Sequence, residues 1–385
     1  MRVLGFGTYD ASRHPRVGIL LAGLEDLGVG VSELNRPLRI STSQRVAMLR
    51  QPWRLPALGW DVLRNWTALA CTRLLPLGRN TWNVRKGRKD EPDAILVGYL
   101  GHFDVLLARL LFPRTPIALD MLIFAEDTAS DRGETSRLKL SILRTLDRFA
   151  MSLSTLIVVD TDESRSLVPE RYQSRVVVCP VGAEMRWFTR PDAALENSDR
   201  TSPRARLRVI FFGHFTPLHG TTVIGEAIAE LHDAPFNLTM VGTGQDYEEA
   251  RRAAAGAAHV TWIDWVDPLK LPNLVQEHDI CLGIFGESDK AGRVVPNKVF
   301  QGAAAGCAIL TADTPAQRRT LGFCALYTTP GSARELRDAL LYLANTPAEV
   351  ARRRKCAGQL ATSTFRPEHS AAPLLHALEE ATQVR

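Results

Sequence analysis

The sequence predicts an α/β chain of two Rossmann-like domains whose parallel sheets face one cleft. Three observations carry that prediction. Apolar runs of strand length alternate with helical patterns, the signature of parallel sheets covered by helices. The alternation breaks once, at 190–207, where Pro, Asn, Asp and Ser replace any periodicity, and then restarts. At 385 residues the chain also exceeds what one hydrophobic core of ordinary size organises.

In order, "MRVLGFG" reads as a buried strand ending in glycine, "VGILLAGLEDLG" as an amphipathic helix closed by Gly28, and "VGVSELN" as a second strand. Further strands follow at "DAILVGY", "PIALDM", "TLIVVDT" and "RVVVC", with a long helix at "RLKLSILRTLDRFAMS". After the break come strands at "RVIFFG", "FNLTMVG", "VTWIDWV", "DICLGIF", "AILTA" and "ALYT", with helical patterns between most of them. The expected division is therefore 1–189, a linker 190–207, a second domain 208–365, and a C-terminal helix 366–385 that could return toward the first domain. Ligands of such sheets bind beyond the carboxyl ends of the strands.

Apolar residues make up 45% and charged ones 23%, a globular composition. No charge-free apolar run reaches the ~18 residues that a membrane span needs. Six cysteines stand singly without a C-x-x-C pair, several in apolar surroundings, and read as reduced core thiols of a cytoplasmic protein. Net charge is +5, and its distribution is uneven: ten basic residues lie between Arg45 and Lys89 against the single acid Asp61, interleaved with Trp53, Trp60, Trp66 and Trp82. Residues 45–89 thus read either as an N-domain segment with solvated arginines or as a dock for an anionic membrane surface. Nucleic acid is not expected as a partner, because the basic window adjoins an intact enzyme-like architecture.

Three glycine-punctuated turns could hold an anion. In "FFGHFTPLHGTT" a strand ends at Gly213 and a loop with His214 and His219 reaches Gly220 before the next helix, so backbone amides and two imidazoles can face a phosphate. "MVGTGQ" repeats the pattern at Gly242 and Gly244. In "GRVVPNKVFQGAAAGCAIL", Pro296 and Asn297 open a small-residue helix with Lys298 in its first turn. A cation there opposes the helix dipole, which makes sense when an anion is bound alongside. In the first half, "GYLGHFD" places His102 after a strand, and "ALDMLIFAEDTASDRGE" places Asp120 directly after another, followed by Asp127 in an acid-rich loop suited to sugar hydroxyls or a metal. No D-x-D of the metal–sugar type is present.

The second half, from about Arg208 to Gly331, resembles the donor domain of glycosyltransferase family 4, retaining enzymes of the GT-B fold. The family's G-R-x-x-P-x-K-G loop takes the form "GHFTPLHG", with His214 for its arginine and His219 for its lysine. The family's E-x7-E element falls on "RVVPNKVFQ", both glutamates being replaced, by Arg293 and Gln301. In the first half "GFGTYDASRHPRV" takes the place of the glycine-containing acceptor loop, and Asp120 stands where many relatives carry a histidine.

The resemblance implies a metal-independent transferase without cofactor that moves a sugar from a UDP- or GDP-sugar to an acceptor glycan, glycolipid or small metabolite, with retention. It implies catalytic roles for His214, His219, Lys298 and Asp120. Donor contacts would come from Gly213, Gly220, Gly242, Gly244, Arg293, Val295, Pro296, Asn297 and Gln301, and acceptor-side contacts from Gly7, Thr8, Arg16, His102 and Asp127. Two alternatives share the architecture: a sugar-nucleotide epimerase of the same fold and a non-catalytic two-lobed sugar binder.

Overall fold

A computed structural model describes residues 1–11, 14–38, 55–74, 91–188, 206–229, 231 and 235–383. The first half runs β1 (Arg2–Gly7), α1 (Arg16–Asp26), β2 (Gly30–Asn35), α2 (Leu55–Leu74), β3 (Ala94–Val97), α3 (Asp104–Leu111), β4 (Ile117–Asp120), α4 (Ala125–Asp131), α5 (Arg137–Leu153), β5 (Leu156–Val159), α6 (Asp162–Arg165) and β6 (Val176–Val178). The second runs β7 (Leu207–Phe212), α7 (Thr221–Ala229), β8 (Phe236–Val241), α8 (Tyr247–Ala253), β9 (Val260–Ile263), α9 (Leu271–Gln276), β10 (Ile280–Leu282), α10 (Asp289–Arg293), α11 (Asn297–Ala304), β11 (Ala308–Ala312), α12 (Pro315–Leu321) and β12 (Ala325–Thr328). Helices α13 (Ala333–Asn345), α14 (Pro347–Leu360) and α15 (Pro367–Gln383) close the chain.

Two six-stranded parallel sheets result, ordered β2-β1-β3-β4-β5-β6 and β12-β11-β10-β7-β8-β9. This is the GT-B arrangement of two Rossmann-like domains. The central strands are buried on both faces, and successive side chains serve opposite layers. On one face of the first sheet Val3, Leu96, Ala118 and Val158 pack with Leu20 and Leu24 of α1 and Leu374 and Leu378 of α15. On the other, Leu4, Ile95, Leu119 and Val159 pack with Leu69 of α2, Val105 of α3 and Met151 of α5. Parallel pairing aligns the carboxyl ends that carry the candidate residues: Gly7 lies opposite Asn35, and Asp120 opposite Val158.

Several sequence expectations change. The six-thiol reading is corrected: Cys324 and Cys356 are joined by a disulfide between the turn after α12 and helix α14, and Cys71 is exposed, leaving Cys179, Cys281 and Cys307 as buried thiols. The acid-rich loop at 125–131 is helix α4, because Asp147 accepts from the backbone amides of Ala125 (2.9 Å) and Glu126 (3.2 Å) and so caps its first turn. Of the basic window 45–89 only α2 is described, and Trp53, Trp82 and eight of its ten basic residues lie outside the described residues. The expected linker likewise lies outside them up to residue 205. Among the described residues no helix is long and apolar enough to cross a membrane.

Helix α15 meets α1 at a point of backbone contact. A Cβ on Gly23 would stand 2.0 Å from the Pro367 carbonyl oxygen and 2.8 Å from the Ala371 Cβ. Overpacking a buried contact of this kind costs roughly 1–3 kcal/mol. Gly23→Val is therefore expected to lower the midpoint of urea unfolding and to make α15 the first site of limited proteolysis. An unchanged midpoint would remove this contact from the list of structural supports.

Candidate active site

The second sheet presents its carboxyl edge through two loops pressed backbone against backbone. Gly213 N–H donates to Val241 O (3.0 Å) and Phe215 N–H to Thr243 O (3.1 Å), and Phe215 forms an isolated parallel bridge with Gly244. Gly242 has φ +121°, and a Cβ there would lie 2.0 Å from Gly213 O. This geometry gives Gly242 and Gly244 a packing role, holding the 213–215 loop in place. Beyond it, Pro217–His219 makes one 3-10 turn that ends at Gly220 in the left-handed region (φ 60°, ψ 41°). Phe285 N–H closes on His219 O at 3.1 Å, so the loop after β10 clasps the loop after β7.

Beneath this loop lies Lys298. Its side chain follows the first turn of α11, whose start carries no side-chain cap. The residue is 4% exposed, and Nζ sits 3.6 Å from the centroid of the Phe211 ring and within 3.3 Å of where a Gly213 Cβ would be. Among the described residues no hydrogen-bond partner reaches that ammonium. Burial drives its pKa well below the ordinary lysine value, because the charged form has lost water and gained only a ring face. Helix α11 can lie this deep because a Cβ on Gly302 would already be 2.6 Å from the Cys281 Cβ. Val295 is buried, Pro296 stands just before the helix without bonding its amides, and Asn297 is the first helical residue. Gln301 is also buried, one turn further along.

Both imidazoles of the loop are held toward their neutral forms. His219 is pushed well below its ordinary value by burial, then by Lys298 and His214, and its Nδ1 lies 3.0 Å from Thr216 Oγ1. His214 is lowered by desolvation, then by Arg132 from the first domain and by Lys298. They are therefore neutral hydrogen-bonding groups near pH 7, and a requirement for two imidazolium ions does not fit.

On the facing domain the polar acceptor-side candidates are each held by a partner within the protein. Asp104 Oδ2 accepts from Thr8 N–H (2.7 Å) and Thr8 Oγ1 (2.8 Å), which shapes the turn at Gly7, and Trp66 Nε1 donates to Asp104 Oδ1 (2.9 Å). Arg16 Nε meets Asp120 Oδ1 at 2.8 Å, with both side chains almost fully buried. Asp160 lies in the same field, and burial raises both carboxyls. Asp120 is thus half of a buried ion pair at the end of β4 rather than an open catalytic carboxylate, although Asp120 Oδ2, Asp160 Oδ1 and Arg16 Nη1 have no partner. His102 Nε2 lies 2.7 Å from Asp147 Oδ1, and so supports the residue that caps α4.

Helix α4 itself reaches across to the second domain. Asp127 pairs with Arg293, and Lys290 Nζ lies 3.9 Å from Asp127 Oδ2 and 2.5 Å from Thr128 Oγ1. Ser288 Oγ donates to Asp131 (2.5 Å), and Thr161 Oγ1 donates to Arg293 O (2.6 Å). Two residues expected at opposite substrates, Arg293 at the donor and Asp127 at the acceptor, instead hold each other. The sequence reading missed Ser288, Lys290, Thr128 and Thr161. The only signal for the first three was a basic "SDKAGR" in one half and an acidic "AEDTASD" in the other, and Thr161 had none.

The family described as "Glycosyl transferases group 1" matches residues 206–346. The C-terminal domain is that of a group 1 glycosyl transferase. No curated protein matches the sequence. Among solved structures, sucrose-phosphate synthase from Thermosynechococcus elongatus is similar at TM-score 0.69 and 13% identity, with 100% of each chain covered. HepE of Anabaena, solved with UDP and glucose, gives 0.65 at 13% identity over 99% of this chain and 100% of that one. A trehalose-6-phosphate synthase, OtsA, gives 0.65 at 15% over 99% of each. These likenesses show the fold, and the matched family makes the chain an enzyme of glycosyl transfer.

Two outcomes follow for the transferase. The bridge predicts that Arg293→Asp weakens the enzyme mainly by loosening the two domains, so Asp127→Arg in the same chain should recover most of kcat/KM. If the double variant is as poor as the single one, Arg293 acts on a ligand instead. The depressed imidazoles set a stability trend as well. The unfolded chain takes up protons near pH 6.5, before the folded chain does, so stability should be complete above about that pH and fall as pH drops below it. Urea titrations of wild type and His219→Gln between about pH 5 and 8 should differ in that slope.

Proposed function

We propose that the protein transfers a sugar from a nucleoside-diphosphate sugar to an acceptor hydroxyl with retention of configuration, in the making of a glycan, a glycolipid or a glycosylated metabolite. One observation carries the reading: a buried ammonium without a partner, set against the Gly213 loop at the uncapped start of α11. A diphosphate oxygen supplies the counter-charge that this group lacks, and the first amides of α11 add donors aimed the same way. That HepE, which shares the fold, holds UDP and glucose supports a uridine nucleotide as the first to test.

In this reading the bond between the anomeric carbon and the β-phosphate oxygen breaks as the acceptor oxygen bonds to that carbon, charge grows on the departing diphosphate, and the acceptor's proton passes to that diphosphate. Lys298 and the amides of Asn297 and Lys298 meet that charge where it develops, which is the largest kind of help a site of this type can give. Neutral His214 and His219 each offer one N–H to the same region. With Arg293 turned to Asp127, the donor's sugar is read chiefly from the Gly213–Gly220 loop and Gln301. The acceptor enters over β1, β3 and β4, where the Arg16–Asp120 pair fixes the floor.

Hydrogen bonds to a charged group contribute roughly 1.5–3 kcal/mol, so Lys298→Ala should weaken UDP binding about tenfold or more in calorimetry. A folded variant with unchanged affinity for UDP, GDP and other nucleoside diphosphates would overturn the site. Binding should also take up protons, because an anion beside Lys298 raises a pKa that burial had lowered. The apparent enthalpy of wild type should therefore depend on the buffer's ionisation enthalpy, and that dependence should vanish in Lys298→Ala. Acceptor-dependent release of nucleotide, without isomerised donor, separates the transferase from an epimerase or a binder.

A further inference from the structure

We propose that the outward face of the helical layer formed by α2, α3 and α5 docks on an anionic lipid bilayer. The three helices cover the same face of the first sheet, since Leu69, Val105 and Met151 share one core cluster. They lie side by side: Trp66 of α2 bonds to Asp104 of α3, and Arg109 of α3 donates to the Leu153 carbonyl of α5. Their outer sides are consequently parts of one surface.

That surface is unusually apolar. Helix α5 is 17 residues long, yet it fully buries only Asp147, Ala150 and Met151. Leu138, Ile142 and Phe149 recur at helical spacing on its solvent side, and Leu138 is 72% exposed. Phe103 and Leu110, seven residues apart at the two ends of α3, face solvent beside it, and α2 adds Leu63 and Trp60, the latter 70% exposed. Among the described residues fourteen large apolar side chains are exposed, and these seven account for half of them. A soluble surface scatters such residues singly, whereas a cluster marks a face that something covers.

Charge identifies the cover. The solvent side of α5 also carries Arg137, Lys139, Arg144 and Arg148, and its sole acid, Asp147, is buried beneath it. Lys139 and Arg144 are paired with Glu134 and Glu126 from the preceding segment, and Arg137 and Arg148 stand exposed at either end of the stripe. Residues 1–189 hold 26 Lys and Arg against 20 Asp and Glu, and that excess lies in the 45–89 window, where ten bases meet one acid; Arg64 and Arg73 of that window belong to α2. Exposed apolar side chains with the unneutralised Arg137 and Arg148 at either end of the α5 stripe match the acyl boundary and phosphates of an anionic leaflet. A protein partner of ordinary surface would meet the apolar residues without using the basic rim. The face adjoins the cleft, because Arg144 in the middle of α5 pairs with Glu126 in the first turn of α4, the helix that bridges to the second domain.

The surface is independent of the donor chemistry, and its test can fail without touching that reading. The full chain is mixed with vesicles of phosphatidylcholine containing phosphatidylglycerol, or of phosphatidylcholine alone, and sedimented. Wild type should bind the anionic vesicles at low salt, release as salt screens the contact, and ignore the neutral ones. The double variant Ile142→Glu with Phe149→Glu should lose binding about tenfold or more, each added carboxylate opposing a surface that attracts cations. Both positions are exposed, so UDP affinity should be unchanged and report an intact fold. Wild type left in the supernatant overturns the proposal. Equal binding by the double variant also overturns it and moves attachment to another segment. A dimer in light scattering that this variant dissociates, with no vesicle binding, would assign the face to a second copy of the chain.

Discussion

An ammonium group removed from water needs a counter-charge, and at Lys298 the described residues supply none within hydrogen-bonding reach. Everything near it is arranged to keep that situation stable: the Phe211 ring below, the glycine-tight loops above, the small-residue helix that carries it inward. Dehydration penalises the charged form, while a bound anion would restore it, so the same atoms that weaken the resting site sharpen its preference for a polyanionic ligand. The neutral histidines fit this arrangement, since two more cations beside Lys298 would add repulsion before any ligand arrived.

The two domains meet through a different kind of contact. Helix α4 offers acids and hydroxyls, and α10 offers bases and a serine, so the cleft is bounded on one side by a polar seam rather than an apolar one. Such a seam breaks and re-forms more cheaply than a hydrophobic interface because water can replace each bond. His102, Asp147 and the start of α4 form a chain of support that fixes where the acidic partner stands. Arg293 stands where the resembled family carries a glutamate, and its guanidinium is paired with Asp127 of the other domain.

Much of this was legible in the sequence because it is local. Strand, glycine, loop and helix follow one another within a dozen residues around Gly213 and again around Lys298, and the periodicity of each element marks its layer. What escaped were pairings over more than a hundred residues: Arg16 with Asp120, Asp127 with Arg293, Ser288 with Asp131. Each partner is an ordinary polar residue in an ordinary turn, and only the register of the sheets brings them together. The Cys324–Cys356 bond spans far less chain, yet nothing in the spacing of six single cysteines singles out that pair. Similarly, the helical spacing of Leu138, Ile142 and Phe149 shows that they share a face, but whether that face is covered depends on neighbours that come from α3 and α4.

The return of α15 to the first sheet means that the polypeptide passes between the domains twice. The outgoing passage leaves β6, and Val181, Ala183 and Trp187 already belong to a core of the second domain. The returning one is a single π-helical turn, Ala361–Phe365, and the two are tied where Ala183 N–H donates to Phe365 O at 2.8 Å. Two passages tied at one point act as a single pivot that keeps this edge of the two domains together. Any parting of the domains would then start away from that pivot, at the polar seam where Arg293 meets Asp127 and Ser288 meets Asp131.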